Sequence, residues 1–404
     1  MALTKLNTLS LADDAITSAK IADDAITSAL IADNAVVTAS IADSAVTSAK
    51  TDGVTGANPN LIINGDMAIA QRGTSSTSSG IKTVDRWNAL WTGGGITQSQ
   101  VALTSGGAYD EGHRHALKMA VTSTNSANNR YAQIRYIPEA KDIRNFGWQY
   151  TSGSSYITVS FWAKSSLAGT YFFSMYGPDS GTAQIYSTPF TLSADTWTKV
   201  TKTIPGGSNI VLNDDTGVGF YIDIRLDLGT DYTASDATVN AWNDRVASDA
   251  KTTTDFAQSW FNTGSATFEV TGVKLEVGQS ATTFEKLDYT AQFQKCQRYY
   301  WTIRGDEGQD YSSTNYGFLL QWSSVRVSSG WSPFWTVHFP VEMRGIPTTT
   351  IVGTWGTSNA GSWSLSGYRS KMSAGMGFSG TTETAGAYAH FNSTDDAITF
   401  DAEL

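Results

Sequence analysis

A chain of 404 residues with one cysteine, four histidines and eight prolines is short of several kinds of chemistry at once. The lone Cys296 excludes an intrachain disulfide framework, and its place at an apolar three-and-four spacing marks it as a small core residue rather than a reactive thiol. Assembly in a reducing cytosol fits that. Charge is sparse as well, at 16% of residues, and unbalanced, with 37 Asp and Glu against 27 Lys and Arg and a net charge of -10. Such a surface, with no Lys/Arg cluster, repels phosphate backbones and anionic membranes, so no nucleic-acid partner is expected. No apolar run reaches the roughly 20 residues that span a bilayer, so no membrane insertion is expected. Met-Ala-Leu-Thr-Lys-Leu-Asn lacks the basic start and apolar centre of a signal peptide, and any export is expected to bypass Sec. Missing too are Ser-His-Asp and Cys-His constellations and a Gly-rich phosphate loop, so neither an enzyme nor a cofactor is expected.

What is abundant is glycine, at 37 residues, with 40% hydrophobic and 12% aromatic content. Together with frequent Thr and Ser, this is the balance of short strands joined by tight turns around packed cores, and an all-β chain is expected. Residues 11–50 are a ten-residue unit repeated four times, of the form Ile-Ala-Asp-Asp-Ala-Ile-Thr-Ser-Ala-Lys. A branched aliphatic recurs every five residues, at Leu11, Ile16, Ile21, Ile26, Ile31, Val36, Ile41 and Val46. Five steps of about 100° leave successive aliphatics about 140° apart on a helix, and five steps along a strand reverse the face. A chain that bends at each Asp-Asp, Asp-Asn or Asp-Ser can return every aliphatic to one axis. Three parallel copies would then stack them in layers, as one thread cannot. The spacing therefore predicts a homotrimeric shaft with these eight residues as its core, against the blander reading of a low-complexity linker.

Turn chemistry between Thr51 and Pro59 marks a boundary. Beyond it, Asn60-Leu-Ile-Ile-Asn-Gly-Asp-Met and then Thr83-Val-Asp-Arg-Trp87 precede a long region of alternation. Trp87 reads as core, with Asp85 and Arg86 paired to each other at a strand end. Ile157, Val159, Phe161 and Ala163 share one face opposite Thr158, Ser160, Trp162 and Lys164; Tyr171, Phe173 and Met175 form another set. Val218 through Leu228 alternates with Tyr221, Asp223, Arg225 and Asp227. These are half-buried sandwich strands. Within 235–261, Val239, Trp242 and Val246 fit a short helix or a covering loop. Phe268 and Val270 are out of phase with Val273, Leu275 and Val277, which predicts a bulge at Thr271-Gly272. Phe293, Cys296, Tyr300 and Ile303 then follow one helix face, with Asp288 or Thr290 as N-cap. In the last hundred residues Val337, Phe339, Val341 and Met343 alternate, Gly345-Ile346-Pro347 turns, and 348–352 is β-branched.

Two motif groups resemble the fibre proteins of tailed bacteriophages: the 60–87 opening, and Gly272-Val-Lys-Leu-Glu-Val-Gly278 with Thr282-x-Phe284-Glu285 and Cys296-Gln-Arg-Tyr-Tyr300. Decapeptide repeats similar to 11–50 occur in shafts of such fibres. The resemblance implies a trimeric shaft and anchor (1–57), a sandwich of the jelly-roll, carbohydrate-binding-module type (58–288), a connecting helix (289–303) and a small C-terminal β-sandwich at the tip (304–404). It implies a virion tail fibre, assembled in the bacterial cytoplasm, whose N-terminus docks on a portal-proximal tail protein and whose distal domains meet host surface polysaccharide. A head fibre or capsid decoration protein, and a glycan-degrading tailspike, are the alternatives. Trp331, Trp355 and Trp363 have no core phase beside Gly/Ser turns, so they are the expected receptor residues, since flat indoles stack on sugar rings. Trp335 is in phase with the core. Glu111, His113 and His115 are the one metal-like grouping, read as solvent-facing polar residues with no metal. Arg304-Gly305-Asp306 is read as a turn, and Asp306, Glu307, Asp310, Asp395 and Asp396 as solvated charge.

Overall fold

The computed structural model describes residues 59–245, 251–304, 319–321, 334–353, 355–358, 363–378, 388–391 and 396–404. The chain divides at Gly56/Ala57. The repeat region, with every expected shaft residue from Leu11 to Val46, lies outside the described residues.

Twelve strands build a sandwich: β1 (Ser75–Ser76), β2 (Trp87–Trp91), β3 (Gly95–Ala102), β4 (His115–Ser123), β5 (Tyr131–Tyr136), β6 (Tyr156–Ser165), β7 (Gly169–Gly177), β8 (Gln184–Leu192), β9 (Thr198–Pro205), β10 (Tyr221–Leu228), β11 (Trp242–Asp244) and β12 (Thr267–Val277). They form two six-stranded antiparallel sheets, ordered β1-β3-β4-β12-β6-β9 and β11-β8-β7-β10-β5-β2. From β4 to β7 the chain changes sheet at every step, the interleaving of a jelly roll. The alternation places the core as expected: Ile157, Val159, Phe161 and Ala163 of β6 are fully buried against Tyr171, Phe173 and Met175 of β7. In β12 the pairing with β6 slips between Thr271 and Lys274, and Gly272 takes φ +62, so the predicted bulge is present.

The second sheet is not half-buried. Phe172, Ser174, Ser187 and Asp223 point away from the core yet are buried, because the chain after β10 folds back over that face. Phe256 packs on Phe172 with ring centroids 5.0 Å apart. Of the two readings of this segment, its described residues fit the covering loop: Trp242 pairs in β11 with Tyr186 and donates its indole N–H to Pro205 O at 2.7 Å. A single 3₁₀ turn, Trp260–Asn262, ends it.

After the sandwich, the helix Tyr289–Gln297 starts at Asp288, whose Oδ1 accepts from Ala291 N at 3.0 Å. Cys296 is buried, and burial pushes its thiol well above the usual range. The helix stops short of Tyr300 and Ile303, which belong instead to β13 (Tyr300–Arg304). Strand pairing takes them: β13 and β16 (Thr348–Val352) flank the chain's last strand, β21 (Ala397–Asp401). The remaining described strands make two more three-stranded sheets. One joins β14 (Leu319–Gln321), β20 (Tyr388–Phe391) and β17 (Trp355–Ser358); the other joins β15 (Phe334–His338), β19 (Ser373–Phe378) and β18 (Trp363–Arg369). The terminal region is thus all-β, with three small sheets among the described residues.

Asp85 and Arg86 do not pair with each other. The left-handed backbone of Arg86 (φ +72) turns it away. Asp85 accepts from Gln71 N at 3.0 Å and faces Arg72 at 3.6 Å. Arg86, with its side chain 1% exposed, lies over the Tyr299 ring at 3.4 Å and pairs with Glu403. Arg298 meets the buried Glu139 through two hydrogen bonds of 2.8 and 2.9 Å, and Tyr299 O–H donates to the same carboxylate at 2.7 Å. Arg72 stacks on Tyr300 at 3.6 Å and bonds Asp401 at 3.1 Å.

Candidate functional site

Polar residues expelled from the core by alternation collect on the outer face of the first sheet. The registers Ser99↔Lys118, Lys118↔Glu269 and Glu269↔Lys164 align these four in one row across β3, β4, β12 and β6. Glu269 ion-pairs with Lys164 at 3.1 Å and lies 4.0 Å from Lys118. Opposite charges facing each other across strands stabilise the sheet modestly; here they also hold two ammonium groups in place. Trp197, just before β9, ends the row, with Lys164 Nζ 5.2 Å from its ring centroid.

One row along, Trp162 faces Lys199. Glu111 accepts from Trp162 Nε1 at 2.9 Å and from Lys199 Nζ at 2.8 Å. Burial pushes the Glu111 carboxyl up, but these bonds outweigh it and hold it below the usual carboxylate range. The loop at 105–107 closes on both indoles. A Cβ on Gly106 would stand 2.8 Å from Trp197 Cδ1, and one on Gly107 2.5 Å from Trp162 Cη2, so only glycine allows this approach. Between that loop, the Asp195–Trp197 turn and the Lys118–Glu269–Lys164 floor runs an open groove of about 600 Å³. It offers indole surface beside fixed donors and acceptors, a combination suited to a ligand with apolar ring faces and many hydroxyls.

The residues expected from sequence to form a site fare differently. Trp331 lies outside the described residues. Trp355 and Trp363 open β17 and β18, in strands where loops are expected, and their side chains lie outside the described set. His113 is not solvent-facing: it is 1% exposed, edge-on to Phe284 at 4.9 Å, and burial pulls it down to about 4. Among the described residues no group of three His, Cys, Asp or Glu could hold a metal. Asp396 is buried rather than solvated, and Asp306, Glu307, Asp310 and Asp395 lie outside the described residues. Sequence reasoning passed over this groove, although Lys164 beside Trp162 on the outward phase of β6 was the available signal. Nothing local links them to Trp197 and Glu269.

No family model and no curated protein matches this sequence. Solved structures with some likeness include the enzymatically active domain of tailspike protein 4 from bacteriophage CBA120, at 10% identity, covering 54% of this chain and 21% of that one, TM-score 0.30. This chain therefore spans about a fifth of that protein. Others are the N-terminal cellulose-binding domain of Cellulomonas fimi β-1,4-glucanase C, at 12% identity, 54% and 100% coverage and TM-score 0.26, and a family 11 carbohydrate-binding module from Clostridium thermocellum, at 13% identity, 52% and 98% coverage and TM-score 0.23. With TM-scores of 0.30 and below, the sandwich architecture of this chain rests on its own strand order.

Proposed function

We propose that this chain is a non-catalytic, glycan-binding attachment protein of a tailed-phage virion, a trimeric tail fibre held to the tail by its N-terminus. The observation that carries the glycan reading is the groove edged by Trp197 over the Lys118–Glu269–Lys164 floor. The phage reading is supported by the two motif groups and the decapeptide repeat. Glu269 is engaged by lysines on both sides, which suits hydroxyl recognition. A tailspike reading would require Glu269→Gln to abolish release of sugar from host polysaccharide.

Trp197→Ala and Lys164→Ala should each weaken polysaccharide binding and phage adsorption about tenfold, since a lost aromatic stack is worth on the order of 1 to 3 kcal/mol by analogy with stacked bases and a lost hydrogen bond from a charged group about 1.5 to 3 kcal/mol. Melting temperature should hold, because both side chains are only partly buried. Undiminished adsorption in both variants removes the groove as receptor site. Trp331, Trp355 and Trp363 at the tip are assigned a second receptor surface. Their alanine variants support it if adsorption falls at constant melting temperature and refute it if adsorption falls only with unfolding.

A further inference from the structure

The outer face of the second sheet holds charges that the groove does not use. The registers Asn88↔Arg135, Arg135↔Asp223, Asp223↔Ser174 and Ser174↔Ser187 draw a polar row beneath the covering segment. Asp223 takes both Nε and Nη2 of Arg135, at 2.6 and 3.0 Å, and lies 3.7 Å from Arg225 Nη2. Arg225 is 7% exposed; its Nη1 donates to Thr252 Oγ1, while its Nε is buried with no hydrogen-bond partner. Arg245 reaches in from the covering segment, 5.1 Å above the Tyr176 ring, which itself stacks on Tyr221.

Arg135, Arg225 and Arg245 open together on a cavity of about 240 Å³ that Gln133, Thr252 and Tyr232 also line. Among the described residues Asp223 is the one acid that offsets their charge at Arg225: burial, helped by Arg135 and Arg245, outweighs it and pulls the Arg225 guanidinium down to about 10. Leaving a buried cation undercompensated is expensive unless an anion completes the site. We propose that this cavity binds the carboxylate of one acidic sugar residue, a uronic acid, through the Arg225 and Arg245 guanidiniums. The planar guanidinium fork matches a carboxylate's two oxygens. Gln133 and Thr252 offer partners to hydroxyls, and Tyr232 offers an aromatic surface to the ring. The space equals about eight water molecules' share of the liquid, room for a sugar unit rather than a peptide or nucleotide.

Titration calorimetry of the full chain with sodium glucuronate, glucose and inorganic phosphate tests this. Glucuronate should bind at least about tenfold more tightly than glucose, the worth of charge-assisted hydrogen bonds. Arg245→Gln, at a half-buried position, should remove that preference at unchanged melting temperature; Arg225→Lys, which keeps the charge and loses the fork, should do so wherever it folds. Trp197→Ala should leave it intact, which separates this site from the first-sheet groove. No glucuronate binding, equal affinity for glucose, or phosphate binding as tightly as glucuronate would each overturn the proposal.

Discussion

Gly272 and His113 are understandable only as a pair. The bulge needs a left-handed residue at 272, and a Cβ there would stand 2.5 Å from His113 Nε2. Gly272→Ala should therefore destabilise by about 2 kcal/mol or more, from backbone conformation and overpacking together; an unchanged denaturant midpoint would refute the fit. His113 sets a pH dependence of definite sign. Burial pulls it from 6.5 to about 4, so its contribution to stability is complete above pH 6.5 and is lost as pH falls toward 4, where the unfolded chain binds the extra proton. Asp85 acts oppositely: burial pushes it from 3.8 up to about 6, so the folded state gains as pH falls through 6 toward 3.8. Comparing His113→Gln with the parent at each pH cancels the Asp85 effect. The variant should lose about 2 kcal/mol less than the parent between pH 7 and 4.5; parallel curves would show that the ring is neutral for another reason or is hydrated.

At the level of elements, the two motif groups that are far apart in sequence meet at one place. Arg72 and Arg86, both ahead of β2, and Arg298, Tyr299 and Tyr300, leading into β13, form with Glu139, Asp401 and Glu403 the contact between the sandwich and the terminal sheets. The motifs are thus docking chemistry, and neither lines the groove. The Arg86 charge is stacked between Tyr299 and Tyr136 and has Glu403 as its carboxylate. Glu403→Gln leaves that buried cation unpaired and should cost about 3 to 5 kcal/mol, seen as a lower melting temperature. If the melting temperature does not move, the junction is not held by this pair.

For the whole molecule, the proposed function depends on copy number. Three weak sites on one shaft gain avidity without new contacts, so the chain should elute as a trimer in size-exclusion chromatography with light scattering. A monodisperse monomer would contradict the axis inferred from the five-residue aliphatic period. Virions grown with residues 1–50 deleted should lack fibres and keep assembled heads, whereas normal fibre occupancy would move the anchor elsewhere. Labelling the N-terminus in particles separates tail from head attachment.

Sequence alone determined the all-β class, the inward faces of β6 and β7, the bulge at Thr271-Gly272, a helix start at Asp288 or Thr290 and the fate of Cys296. Each is set by period or by a neighbour a few residues away, where backbone geometry leaves little choice. Tertiary structure decided what depends on distant partners. Tyr300 and Ile303 left the helix pattern because β21, almost a hundred residues later, offers them a strand. The covering segment buried Asp223 and Arg225, which alternation alone assigns to an exposed face. Glu269 became the centre of a groove only because the jelly-roll order sets β12 between β4 and β6. Local periodicity says which way a side chain points from its own backbone; which chain lies in that direction is a property of topology.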